Sequence, residues 1–93
     1  MDHNKRLNGL FLLNEQITAL EKYVLVKDAP NRIEHIKSKK DRADSTILTL
    51  FTVDLISMVE LEILRSYIQD LAKDRLTPYI IGEANKILEE VRK

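Results

Sequence analysis

The sequence predicts an all-α protein: a small bundle of three to four helices with a long central helix, completed by dimerisation. Apolar residues recur at spacings of three and four, as on one face of a helix. The 93 residues include only two glycines and two prolines, too few turn formers for an all-β chain of this length. A chain this short has room for one domain, so residues 1–93 are predicted to form a single helical domain.

The first helix is predicted over residues 5–26. Its apolar residues fall on one stripe at alternating spacings of three and four: Leu10, Leu13, Ile17, Leu20 and Val24. Pro30 ends this segment, because proline clashes with the preceding turn and disfavours helical geometry at the residue before it.

A long second helix is predicted over residues 31–75. Asn31 followed by Glu34 resembles a capping box, and no helix breaker follows until Pro78. The apolar face changes sides near Glu60, which indicates either a break near residues 57–62 or a continuous helix that packs against different partners. Residues 57–62 are good or neutral helix formers, so continuity is favoured. A rod this long leaves half of itself uncovered, and a symmetric dimer is the commonest cover.

The last helix is predicted over residues 78–92. Thr77 is a good N-cap, and Pro78 suits the first helical position. Gly82 lies inside this helix, and close helix packing is the expected reason for it. The inward stripe consists of Ile80, Ala84, Ile87, Leu88 and Val91.

Asp54 is the single acid inside the uncharged run of residues 45–59. In a continuous helix it occupies a seam of residues spaced by three and four. A charge at such a position is costly when unpaired, and its best-attested use is to fix register or partner choice. The alternative is that Asp54 reaches water, or pairs with a lysine or arginine, where the two faces exchange.

Five basic residues form the candidate partner-binding site, which we call the basic stripe: Arg32, His35, Lys39, Lys40 and Arg42. Four of them follow at spacings of three, four and three, so they share one helix face. Such a stripe suits phosphates or an acidic patch on a protein. The alternative is a solvated face, partly cancelled by neighbouring acids.

Charge and hydropathy narrow the function classes. Fifteen Lys and Arg balance fifteen Asp and Glu, so no global field draws the chain to nucleic acid or an anionic membrane. The apolar run of residues 47–59 is shorter than the roughly 20 residues of a membrane span, so no membrane insertion is expected. The lack of cysteine favours a cytoplasmic location.

Signatures of catalysis are missing from the sequence. It has no cysteine nucleophile, no phosphate-cradling glycine-rich loop and no histidines spaced for zinc. We therefore expect no enzyme activity and no cofactor. The predicted function is a non-catalytic protein-binding module acting as a helical homo-oligomer: a small regulator, inhibitor, immunity-type protein or adaptor. Its predicted partners are a second copy of itself, in a homodimer, and an unidentified protein. The alternatives are a nucleic-acid-binding regulator that uses the basic stripe, and a small helical enzyme whose site forms only on assembly.

Overall fold

The computed structural model describes residues 2–92. Within that range the chain is all-helical and has no strand, which confirms the predicted all-α class and the predicted number of helices. The four helices are α1 (His3–Leu25), α2 (Arg32–Thr52), α3 (Met58–Ala72) and α4 (Pro78–Leu88).

Helix α1 buries the stripe that the sequence predicted. Leu10, Leu13, Ile17, Leu20 and Val24 are all buried in the core. The helix begins two residues earlier than expected, because the carboxylate of Asp2 accepts a hydrogen bond from the backbone N–H of Lys5 (3.1 Å) and caps the N-terminus. At the other end, Arg32 donates side-chain hydrogen bonds to the carbonyl oxygens of Tyr23 (2.8 Å) and Val24 (3.0 Å). These are carbonyls that a helix end leaves without a partner inside the helix.

The prediction of one continuous helix over residues 31–75 is wrong. Helix α2 ends at Thr52, and Asp54 takes a left-handed backbone conformation with φ of 61°. The N–H of Leu55 donates to the carbonyl of Leu50 (2.8 Å), and that of Asp54 to the carbonyl of Phe51 (3.0 Å). This pair of hydrogen bonds is the Schellman motif, which terminates a helix without glycine or proline when Asp tolerates the left-handed conformation.

Helix α3 then begins with a capping box. Ser57 Oγ accepts a hydrogen bond from the backbone N–H of Glu60 (3.1 Å), and Glu60 Oε1 accepts one from the backbone N–H of Ser57 (2.9 Å). The pattern Ser-x-x-Glu is a known start signal, and it lies at the position where the apolar face changes sides. Residues 53–57 therefore separate the two helices, just before the predicted alternative break.

The connection between α3 and α4 repeats this construction. Asp74 has φ of 57°, and the N–H of Arg75 donates to the carbonyl of Asp70 (2.8 Å). Three residues after Asp74, Thr77 caps α4 by accepting from the N–H of Ile80 (3.3 Å), with Pro78 in the first turn. The start of α4 was predicted correctly, because both of its signals are local. In the structure the helix itself ends at Leu88, before the predicted residue 92.

The capping box predicted at Asn31 and Glu34 does not form. Asn31 has φ of 54°, and its side chain makes no capping hydrogen bond. The left-handed conformation instead turns the chain between α1 and α2, a role that Asn accepts better than most residues.

The four helices run up and down around one core. The short connections make α1 antiparallel to α2, α2 to α3 and α3 to α4, and α1 also packs against α3 and α4. Among residues 2–92, the core contains 17 buried apolar residues drawn from all four helices and from Ile56 in the α2–α3 turn. Because the chain folds back at Asp54, both halves of the predicted long helix face this core. The uncovered half-helix from which a dimer was predicted is therefore not present.

The two glycines differ in their surroundings. A Cβ atom built on Gly82 would meet nothing within 4 Å, so the close packing expected there is wrong. A Cβ atom on Gly9 would collide with Leu50 Cδ2, which belongs to the core. Gly9 is thus the glycine that allows α1 and α2 to approach closely.

No helix within residues 2–92 combines the length and the apolar character that crossing a membrane requires.

Candidate binding site between the first two helices

Two residues of the basic stripe contribute to the fold. The Arg32 guanidinium is occupied by the two carbonyls at the end of α1. The His35 ring stacks on the Tyr23 ring, with centroids 4.5 Å apart and planes 13° from parallel. Both contacts join the start of α2 to the end of α1. Arg32 and His35 therefore stabilise the packing of α2 against α1. Their spacing along a single helix could not reveal this role.

Lys40 faces a different side of α2 from the rest of the stripe. Its Nζ lies 3.3 Å from Asp44 Oδ2, one helical turn further along. Such pairs are worth only a few tenths of a kcal/mol at a surface. The charge of Lys40 is nevertheless partly balanced by Asp44 within α2.

Lys39 and Arg42 remain, and they lie beside a groove between α1 and α2. The groove has a volume of about 240 Å³. Its lining residues are Leu12, Glu15, Gln16 and Ala19 from α1, with Lys39 and Arg42 from α2. Neither cation forms an ion pair or a side-chain hydrogen bond with any other part of the chain that the structure describes. Their charges are therefore free for another molecule.

The groove has one wall of each charge. Glu15 lies on the α1 wall and makes no ion pair within residues 2–92, while the two cations lie on the α2 wall. Gln16 follows Glu15 on the α1 wall, and its Oε1 atom is covered from solvent and accepts no hydrogen bond. A buried acceptor without a donor costs about 1–3 kcal/mol. The groove therefore offers two positive charges and one negative charge, and one amide oxygen without a donor lies buried beside it.

The α1 wall was missed at the level of sequence. Its four residues follow at spacings of three, one and three, which places them on one helix face next to the buried stripe. That spacing was visible in the sequence. Only the packing of the helices shows that this face lies beside Lys39 and Arg42 and not beside α4.

Asp54 lies in the α2–α3 turn, where its side chain is exposed. It has the left-handed conformation described above, so it ends α2 and does not lie in a helix seam. Its role in register was inferred from that seam. The structure thus gives Asp54 a different position from the one on which the prediction depended.

A second polar cluster joins the start of α1 to the α2–α3 turn. Arg6 donates to both carboxylate oxygens of Glu60, from Nη1 to Oε1 (2.9 Å) and from Nη2 to Oε2 (2.7 Å), and from Nη1 to the carbonyl of Leu55 (3.0 Å). The side chains are 18% and 22% exposed. The hydrogen bonds from Arg6 hold the pKa of Glu60 below its ordinary value, and the same contact raises the pKa of Arg6. With every group matched, this cluster serves as a structural clasp.

Within residues 2–92, no three His, Asp or Glu side chains gather closely enough to hold a metal ion. No protein-family model, no curated protein and no solved structure matches this chain.

Proposed function

We propose that this chain is a non-catalytic protein-binding module that acts as a homo-oligomer and binds through the groove between α1 and α2. One observation carries the proposal: Lys39 and Arg42 are unpaired beside a groove whose rim holds Leu12 with 49% of its surface exposed. Apolar contact flanked by unmatched charge is the composition of a protein interface, where burial provides affinity and charge provides specificity.

Three further parts complete the proposal. A module of this kind is a small regulator, inhibitor, immunity-type protein or adaptor, and it needs no cofactor. The cytoplasm is the proposed compartment, because a chain without cysteine gains nothing from an oxidising one. Asp54 is exposed in the α2–α3 turn, so any part that it plays in the choice of partner would come from that turn and not from a helix seam.

Nucleic-acid binding through the basic stripe is the alternative. Of the five residues, Arg32 and His35 are used inside the fold and Lys40 faces Asp44, which leaves two free cations per chain. Few phosphate contacts mean weak binding with a shallow dependence on salt. An enzyme site formed on assembly is the third possibility, and it would have to recruit charged groups such as Glu15 from the groove.

A photoreactive residue in the groove tests the proposal. With p-benzoylphenylalanine in place of Leu12, irradiation of cells that express the chain is expected to yield adducts with protein. The matched control carries the same residue in place of Gln69, which is exposed on α3 away from the groove. Adducts with nucleic acid would favour the alternative. A yield from the groove no greater than that from the control position would refute the proposal.

A further inference from the structure

We infer that the occupant of the α1–α2 groove is a second copy of this chain, related to the first by a two-fold axis that runs along the groove. The inference rests on the proposed function and names the partner of the same site. Its basis is the charge of the two walls and the area that the helix pair offers, and the amide of Gln16 adds a contact that two copies can share.

The two walls of the groove are complementary to each other when one copy is turned onto another. A two-fold axis parallel to the helices places α1 of each copy opposite α2 of its partner, at the same height along the bundle. Glu15 lies at the height of Lys39 and Arg42, because all three line one groove. It therefore faces the two cations of the partner, and the contact occurs twice. In the dimer each of the two Glu15 carboxylates faces two cations of the other copy. In a single copy none of these groups has an ion-pair partner within residues 2–92.

Gln16 belongs to the α1 wall, which lies beside the proposed axis. Its Oε1 atom has no donor in a single copy. An amide carries both an acceptor and two donors, so two symmetry-related amides can satisfy each other. The oxygen is covered by its own neighbours, so each Gln16 has to turn its amide toward the groove to make this contact. In a single copy the turned amide would hydrogen-bond to water, so the pairing of the two amides would fix the register of the copies rather than supply most of the affinity.

The area of this face is sufficient for a small dimer. A helix of the length of α1 or α2 extends for about 30–35 Å and is about 10 Å wide, so the pair presents about 600–700 Å². Two such faces bury about 1,200–1,400 Å², at the lower end of the range for specific interfaces. Ala19 keeps the α1 wall low, and Leu12 provides apolar contact.

Charge reversal tests the inference through sedimentation equilibrium. Glu15→Lys alone, and Lys39→Glu with Arg42→Glu, should each weaken the dimer at least about tenfold, because like charges then face each other across the axis. An equimolar mixture of the two variants should recover dimer of near wild-type affinity, since each lysine at position 15 meets two acids. The control Lys37→Glu changes an exposed residue of α2 outside the groove and should leave the affinity unchanged.

A cross-linking measurement covers the case in which a charge variant fails to fold. The chain has no cysteine, so Ala19→Cys introduces a single thiol into the groove with little change in volume. A bismaleimide reagent should join two copies of this variant, whereas Gln69→Cys on α3 should react without forming dimers.

The outcomes separate the inference from the proposed function. Wild-type dimer that is insensitive to charge reversal, or equal cross-linking from both thiols, would overturn the choice of face and leave a homo-oligomer in place. A variant mixture that stays monomeric would overturn the two-fold pairing. Wild-type chain that stays monomeric up to near-millimolar concentration would overturn both the inference and the homo-oligomer.

Discussion

Removing the clasp between Arg6 and Glu60 should destabilise the whole bundle. Arg6 joins the first turn of α1 to a carboxylate 54 residues away and to the carbonyl of Leu55. Arg6→Met keeps the apolar stem of the side chain and deletes three hydrogen bonds. Glu60→Gln can keep the capping contact with Ser57, because Gln also serves in a capping box, but it removes the charge and puts an NH2 donor where Oε2 accepts from Arg6 Nη2.

The expected loss of unfolding free energy lies between that for breaking a surface ion pair and that for breaking a buried one. Hydrogen bonds to charged groups contribute about 1.5–3 kcal/mol, whereas exposed pairs contribute about 0.2–1 kcal/mol. With side chains 18% and 22% exposed, we expect Arg6→Met to cost about 2–3 kcal/mol and Glu60→Gln about 1–2 kcal/mol. For a domain of this size, the larger loss lowers the Tm by about 10–15 °C.

Urea denaturation of both single variants and the double variant would measure the coupling energy, with an expected value of about 1–2 kcal/mol. The pair between Lys27 and Asp74 is the control, because its atoms are 2.8 Å apart, close to the 2.7 Å between Arg6 and Glu60, while its side chains are 61% and 63% exposed. Lys27→Met should therefore have a much smaller effect. A coupling energy for Arg6 and Glu60 below about 0.5 kcal/mol, within the range of surface pairs, would refute the reasoning.

The same clasp predicts a dependence on pH. The pKa of Glu60 is lowered in the folded state, chiefly by the hydrogen bonds from Arg6. Its contribution to stability is therefore complete above the unfolded-state pKa of about 4.3 and is lost as the pH falls through the folded-state value. The free energy of unfolding of the wild type should approach that of Glu60→Gln as the pH falls through this range. A constant difference between the two proteins from neutral to acid pH would contradict this account.

Two further predictions concern the backbone. Asp54→Gly should stabilise the chain by up to about 1 kcal/mol, because glycine adopts the left-handed conformation at φ of 61° without strain. Asp54→Leu should destabilise it by about 1 kcal/mol, because leucine is strained in that conformation. Thermal denaturation of both variants measures the difference, and equal stability would count against the Schellman motif. Gly82→Ala should raise the stability by about 1 kcal/mol, since its Cβ would meet open space in a helix. Gly9→Ala should fail to give that gain because its Cβ collides with Leu50, and an equal gain at both glycines would show that α1 and α2 do not approach as closely as described.

The sequence alone determined the all-helical class, the inward stripe of α1 and the start of α4. These features follow from signals within a few residues: apolar spacing, an N-cap and a proline in the first turn. The break after Thr52 was also encoded locally, in the Ser57 capping box and in the change of apolar face. It was missed because the residue that ends α2 is aspartate, which adopts the left-handed conformation far less often than glycine.

Only the tertiary structure decided which charges are free. Arg32 and His35 looked equivalent to Lys39 and Arg42 along one helix, and the packing of α1 against α2 separates them. The sequence also does not show which residue pairs with Arg6. Glu60 reaches Arg6 because the chain turns back after α2, so that α3 packs against α1. Periodicity reports which face of a helix is buried, but the neighbour on that face is set by the fold as a whole. For this reason the groove, with Glu15 and Gln16 opposite the two cations, could be found only after the helices were placed.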